Sequence, residues 1–160
     1  MLFAPALVMP LVVDDVVNNE IPRMPSGAAV VILNCGANDI GGFGFKDAYK
    51  PDGTKLTAPA NERELAAAER TFARALALIR RKEPAATIYL VNLRHWQRMT
   101  GTEAPRFAAD VNAWNAMLAA TGLPVVDISG DPRMYRPAYI QADLLHVNVE
   151  GNAAIASDFH

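Results

Sequence analysis

Asp143 and His146 stand three residues apart in "DLLHVN", just before an apolar segment. An Asp beside a His can accept the imidazole Nδ1 proton and fix the tautomer. It also stabilises the imidazolium as it forms, leaving Nε2 to act as a general base. Taken alone, the spacing is more often a surface His beside a helix-capping Asp. A second polar group of interest lies far upstream. "NCGANDIGG", Asn34 to Gly42, follows directly on the apolar run Ala28 to Leu33. Asn38 could donate a side-chain N–H to an oxyanion, or serve only as a turn residue that tolerates a left-handed backbone. Gly36 allows close backbone approach or simply makes the turn. Asp39 braces or caps the loop, or lines a pocket there.

Cys35, the only cysteine, immediately precedes that turn. A thiolate there would suit a His–Asp pair, although a lone Cys at a strand end is more often a small buried hydrophobe. His95-Trp96 can line a pocket, or Trp96 can pack beneath the neighbouring loop. His95, His146 and His160 lack metal-ligand spacing, so no metal and no cofactor is expected. "GGFGFKD" is rich in Gly but lacks the Gly-Lys-Ser/Thr of a P-loop, and no dinucleotide fingerprint follows a strand.

These residues need a frame to position them. Leu11 to Glu20 suits a short helix, stopped near Pro22 and Pro25. Ala28 to Asn34 is continuous and branched, the pattern of a strand covered on both faces. A long loop, Gly36 to Pro59, follows. Asn61 to Glu64 resembles a capping box. Leu65, Ala68, Phe72, Leu76 and Ile79 then recur on one helical face, and Pro84 ends that helix. "ATIYLVNL", Ala86 to Leu93, is a second strand. Pro105 opens another helix, with the stripe Phe107, Val111, Trp114 and Leu118 and with Gly122 at its C′ position. "PVVDI", Pro124 to Ile128, is a third strand, and Val149 to Phe159 a closing helix. Strand and helix alternate, which predicts an α/β layered fold with a parallel sheet. Ligands in such sheets sit beyond the carboxyl ends of the strands. That places Gly36 to Asp39, Arg94-His95-Trp96 and the segment from Ser129 onward at one rim.

"GAND" after an apolar strand, with "DLLH" opening the last helix, resembles the SGNH (GDSL-type) hydrolase family. Gly36-Ala37-Asn38-Asp39 matches its third block and Asp143-Leu144-Leu145-His146 its fifth. The resemblance implies a three-layer α/β/α flavodoxin-like fold and hydrolysis of esters in lipids, small molecules or acetylated sugars. It also implies that His146 is the general base, that Asp143 orients it, that Asn38 donates to the oxyanion and that Gly36 shapes the turn. The family's first block, Gly-Asp-Ser, carries the nucleophile, and neither it nor the second block has a match here. Ser26, Ser129 and Ser157 are the only serines, and none stands where that block would place one. On this reading residues 1–160 are the C-terminal portion of one domain, with about three strands and little activity alone. The upstream reading frame would then encode the missing triplet. In the family's strand order, 2-1-3-4-5, loss of the first two strands makes Ala28 to Leu33 an edge. That edge is either covered, for instance by Met1 to Val13, or paired with a second copy.

The chain has 160 residues and a net charge of −2. It shows no basic patch with interleaved aromatics, which argues against a nucleic-acid partner. Arg80-Arg81-Lys82 offsets the carbonyls at a helix end. "MLFAPALVMPLVVDD" is too short to span a bilayer and lacks a basic region and a clean cleavage site. The sequence leaves secreted and cytoplasmic placement open. The expected partner is a small ester substrate. The competing readings are a non-catalytic ligand-binding module and an unrelated flavodoxin-like domain in which both motifs are turns.

Overall fold

The computed structural model describes residues 12–42, 58–96, 104–142 and 146–159. The chain begins with Val13–Asp15 (α1), which runs through a π-helical turn, Val16–Glu20, into Ile21–Arg23 (α2). The helical segment ends at Arg23, between Pro22 and Pro25, near where the sequence sets its stop. Pro22 lies in the last turn of this continuous segment, just after the π-helical turn. Lys82 donates to the carbonyls of Ile21 and Pro22, at 2.7 and 3.1 Å, and so closes the end of this segment.

Val30–Leu33 forms β1, Thr87–Val91 forms β2 and Val125–Val126 forms β3. They make one parallel sheet in the order β1-β2-β3. The connections are the long helices Ala58–Lys82 (α3) and Ala104–Ala120 (α4). After β3 come the 3-10 turns Pro132–Tyr135 and Pro137–Tyr139, then Val149–Ser157 (α5). α3 starts at Ala58 rather than at Asn61, because Pro59 fits a first helical turn. The long loop expected from Gly36 is broken early by a second π-helical turn, Asn38–Gly42. The remainder of that loop up to residue 57 lies outside the described residues.

The helical stripes read from the sequence are the ones buried. Ala68, Phe72, Leu76 and Ile79 of α3 pack with Phe107, Val111, Trp114 and Leu118 of α4 in one cluster. Val13, Val16, Val17 and Ile21 join them from the N-terminal segment, and Leu33, Ile88 and Leu90 from the sheet. The opposite face of the sheet is served by a smaller cluster of Val91, Val126, Met134 and Ala154, with Tyr89 and Phe159 against it. The two rings of that pair meet edge to face at 5.6 Å.

This second layer covers β2 and β3 but not β1. The register sets Ile32 beside Tyr89 and Val30 beside Thr87. Val30 and Ile32 remain 53% and 51% exposed. The expectation that this strand is covered on both faces is therefore corrected. Its continuous apolar run reflects one buried face, at Val31 and Leu33, and one open face. Of Met1 to Val13, named as a cover for the edge, residues 1–11 lie outside the described residues. Val13 is buried in the helical cluster.

Candidate functional site

All three strands are parallel, so their carboxyl ends share one rim. The chain leaves β1 through Asn34 and Cys35 and turns sharply at Gly36, whose φ is +95°. An L side chain seldom adopts that backbone. Space forbids one as well, because a Cβ at Gly36 would collide with the indole of Trp114. Trp114 is fully buried and meets Phe72 edge to face at 5.4 Å. The turn bearing Asn38 is thus seated on the aromatic centre of the main core. The amide of Ile40 donates to the carbonyl of Gly36 at 3.0 Å and closes the turn.

Asp39 is buried, and its carboxylate accepts from the backbone N–H of Val13 at 3.0 Å. Val13 opens α1, where backbone N–H groups lack helical partners. Burial pushes the Asp39 carboxyl up to about 6, against the lowering effect of the bonds from Val13 and its own N–H. Asp14 and Asp15 raise it further. The neighbouring Cys35 is also buried. Burial first, and the charge of Asp39 second, push its thiol up to about 12. Cys35 is therefore a neutral core side chain at neutral pH, not an available thiolate.

β2 leads into Asn92, Leu93, Arg94, His95 and Trp96 at the same rim. Sequence reasoning missed Asn92, which is buried and ties two strand ends together. It donates to Asp127 at 2.7 Å and accepts from the Ser129 N–H at 3.0 Å. Asn115 of α4, also missed, pairs with both backbone groups of Leu93, at 2.8 and 2.7 Å. Neither Asn carries a motif, since each acts on residues more than twenty positions away. Arg94 is a further buried polar residue of this segment. It donates to the carbonyl of His95 at 3.3 Å. Trp96 stacks obliquely on Phe107 at 4.9 Å and packs on the main core while staying half-buried.

His146 sits on the loop that precedes α5. Its backbone carbonyl accepts from Gln141 at 2.8 Å, and the next residue, Val147, forms a bridge with Ile140. Gln141 Nε2 also donates to the Val147 carbonyl at 3.0 Å. Asn148 then caps α5, accepting from Gly151 at 2.9 Å and donating to the Ala138 carbonyl at 2.8 Å. The His-bearing segment is thereby anchored on both sides. Asp143, with Leu144 and Leu145, lies outside the described residues. Gly36, Asn38 and Asp39 are gathered on one turn, with His95 and Trp96 at the adjacent strand end. His146 belongs to the second layer, with the 3-10 turns and α5.

The serines are placed as follows. Ser26 is exposed in the turn ahead of β1. Ser129 follows β3, where its carbonyl accepts from the Tyr135 hydroxyl at 2.9 Å. The Ser157 hydroxyl donates to the Ala154 carbonyl within α5, at 2.6 Å. Among the described residues, no group of three or more His, Cys, Asp or Glu could hold a metal ion. No helix among them is long and apolar enough to cross a membrane.

Comparison with known proteins agrees with this architecture. The phospholipase A1 of Streptomyces albidoflavus NA297 is similar over 92% of this chain and 75% of its own, at 16% identity and a TM-score of 0.62. An extracellular lipase from Streptomyces rimosus is similar over 92% and 76%, at 17% identity and a TM-score of 0.53. The shared fold is the flavodoxin-like α/β arrangement. No curated protein matches the chain. The model of the GDSL-like lipase/acylhydrolase family matches residues 12–154. With nearly its whole length so matched, and with its parallel sheet and GAND turn in place, the chain belongs to the GDSL-like lipase/acylhydrolase family.

Proposed function

We propose that this chain carries the oxyanion-donor and general-base parts of a serine ester hydrolase that works by acyl transfer. The observation that carries the reading is the Gly36 turn. It presents Asn38 just beyond the carboxyl end of β1, pinned from below by Trp114. A donor held on a packed core is oriented before charge develops, which is the condition for stabilising an oxyanion. In this reading His146 Nε2 takes the proton of the attacking serine and returns it to the leaving alcohol. Asp143 holds the Nδ1 tautomer, and the Asn38 amide donates to the tetrahedral oxyanion. Water then hydrolyses the acyl-enzyme.

In this reading the nucleophile is a serine other than Ser26, Ser129 and Ser157. Ser26 lies at the wrong end of β1, and Ser157 is spent on a helix carbonyl. Cys35 does not replace it, given its burial and raised thiol pKa. The substrate is an ester of a lipid, a small alcohol or an acetylated sugar. The phospholipase and lipase named above favour the lipid member of that class.

The test uses the longest reading frame that contains these 160 residues and a short-chain aryl ester. His146→Ala is expected to lower kcat by several orders of magnitude. Asn38→Ala is expected to lower it by roughly a hundred- to a thousandfold, the range for one oxyanion donor. The 160-residue chain alone is expected to show little turnover. A longest frame that binds ester without turning it over would overturn the reading. So would turnover that survives His146→Ala.

A further inference from the structure

The Asn38 turn is held from two sides, and the two holds differ in kind. Trp114 supports it from below through contact with Gly36, a fixed steric hold. The other hold is polar and lies one residue beyond Asn38. The buried carboxylate of Asp39 accepts the first-turn N–H of α1, at Val13, across 26 positions of sequence. We propose that Asp39 is the positioning residue of the Asn38 turn, locking it to the start of the N-terminal helical segment through Val13. The inference rests on the reading of Asn38 as oxyanion donor and names what sets that donor's place.

Three observations support a positioning role over a simple helix cap. The bond is long-range, so it fixes the relation of two segments rather than the shape of one. Asp39 lies inside the π-helical turn Asn38–Gly42, so its backbone cannot shift without carrying Asn38 with it. Val13 is itself fully buried in the cluster that contains Trp114, so the acceptor's partner is as firmly placed as the floor of the turn.

The lock is sensitive to proton binding. An ionised carboxylate makes a stronger bond to an N–H than a neutral one. The charges acting on Asp39 are Asp14 and Asp15 on α1, both of its own sign. The adjacent Cys35 thiol is held neutral. α3 and α4 contribute apolar side chains to the cluster around it, among them Phe72 and Trp114. With like charges and burial acting together, the carboxyl takes up its proton near pH 6. Protonation turns the Val13 bond from a charge-assisted one into a neutral one and removes a buried charge, so the Asn38 turn reports the change.

Amide resonances of the 160-residue chain test this without any turnover. The Val13 and Asn38 backbone amides are expected to titrate with one shared midpoint, about 6, and to be flat over that interval in Asp39→Asn. Hydrogen exchange at Ile40 is expected to speed up by roughly tenfold or more in Asp39→Ala and to recover in Asp39→Asn, which keeps an acceptor oxygen. If Val13 titrates and Asn38 does not, Asp39 is a helix cap alone and the proposal fails. An Asn38 midpoint that persists in Asp39→Asn overturns it equally. Should Asp39→Ala not fold, the wild-type and Asp39→Asn titrations decide the matter. Ester-hydrolysis assays bear on the proposed function and leave these readouts untouched.

Discussion

Gly36 meets two demands at once, and each can be measured. Its φ of +95° is strained for any residue with a Cβ, and a Cβ there would overlap Trp114. Gly36→Ala is therefore expected to lose about 2–6 kcal/mol in urea unfolding, the sum of backbone strain and overpacking. Asp39 acts in the opposite sense at neutral pH. Its folded-state pKa of about 6 lies above the unfolded 3.8, so the folded chain binds the proton more tightly. The resulting stability is fully present below about 3.8 and is lost as pH rises through about 6. The span is worth about 3 kcal/mol. Thermal unfolding of the wild type should show this slope, and Asp39→Asn should flatten it. Legibility at this scale follows chemical distance along the chain. A strand that stops at Gly, Asn and Asp announces a turn, so Gly36 to Asp39 can be read directly. The partner of Asp39 cannot, because Val13 lies 26 residues upstream and an amide N–H has no sequence signature. Asn92 and Asn115 are silent for the same reason.

At the scale of elements, the helices are the most legible part of the chain. The stripe of α4, from Phe107 to Leu118, is buried at every position named from the sequence. Ala68, Phe72, Leu76 and Ile79 of α3 are buried likewise, and Leu65 of the same stripe is partly buried against them. A 3.6-residue period reports which side of a helix meets the core whatever that core contains. Phe72→Ala should accordingly cost about 3–5 kcal/mol by chemical denaturation, the range for an aromatic removed from a packed core. Strands are less explicit. A run of branched residues does not say whether one face or two are covered, and β1 proves to be covered on one. Its start is fixed by a polar contact that sequence does not reveal. Glu83 Oε2 accepts from the N–H groups of Gly27 and Ala28, at 2.9 and 3.1 Å. Glu83→Ala leaves both donors without that acceptor and is expected to cost about 1–3 kcal/mol. An unfolding midpoint equal to the wild type would show that water replaces the carboxylate at no loss.

At the scale of the molecule, the open edge of β1 becomes the deciding feature. Thr87 donates to the carbonyl of Ala29 at 3.0 Å, so Ala29, Val31 and Leu33 turn their backbone groups toward β2. Alternation along the strand turns those of Val30 and Ile32 away from it. Among the described strands, β1 pairs with β2 alone. The same two residues expose their side chains on the bare face of the sheet. Val30 to Leu33 also carries none of the Lys, Pro or bulge devices that usually guard an edge. A second copy satisfies this geometry by antiparallel pairing about a two-fold axis at Val31, with Val30 of each chain opposite Ile32 of the other. Such an isologous contact joins two sheets into one. The 160-residue chain is therefore expected to associate as its concentration rises, read by light scattering behind size exclusion. Ile32→Lys adds a charge on the exposed face, and like charges then meet across the two-fold axis. It should suppress association while leaving the unfolding free energy of the monomer within about 0.5 kcal/mol, as for an ordinary surface change. A chain that stays monomeric at high concentration would contradict edge pairing. So would a mass distribution unchanged by Ile32→Lys, because a contact elsewhere on the surface would not respond to a charge placed on β1.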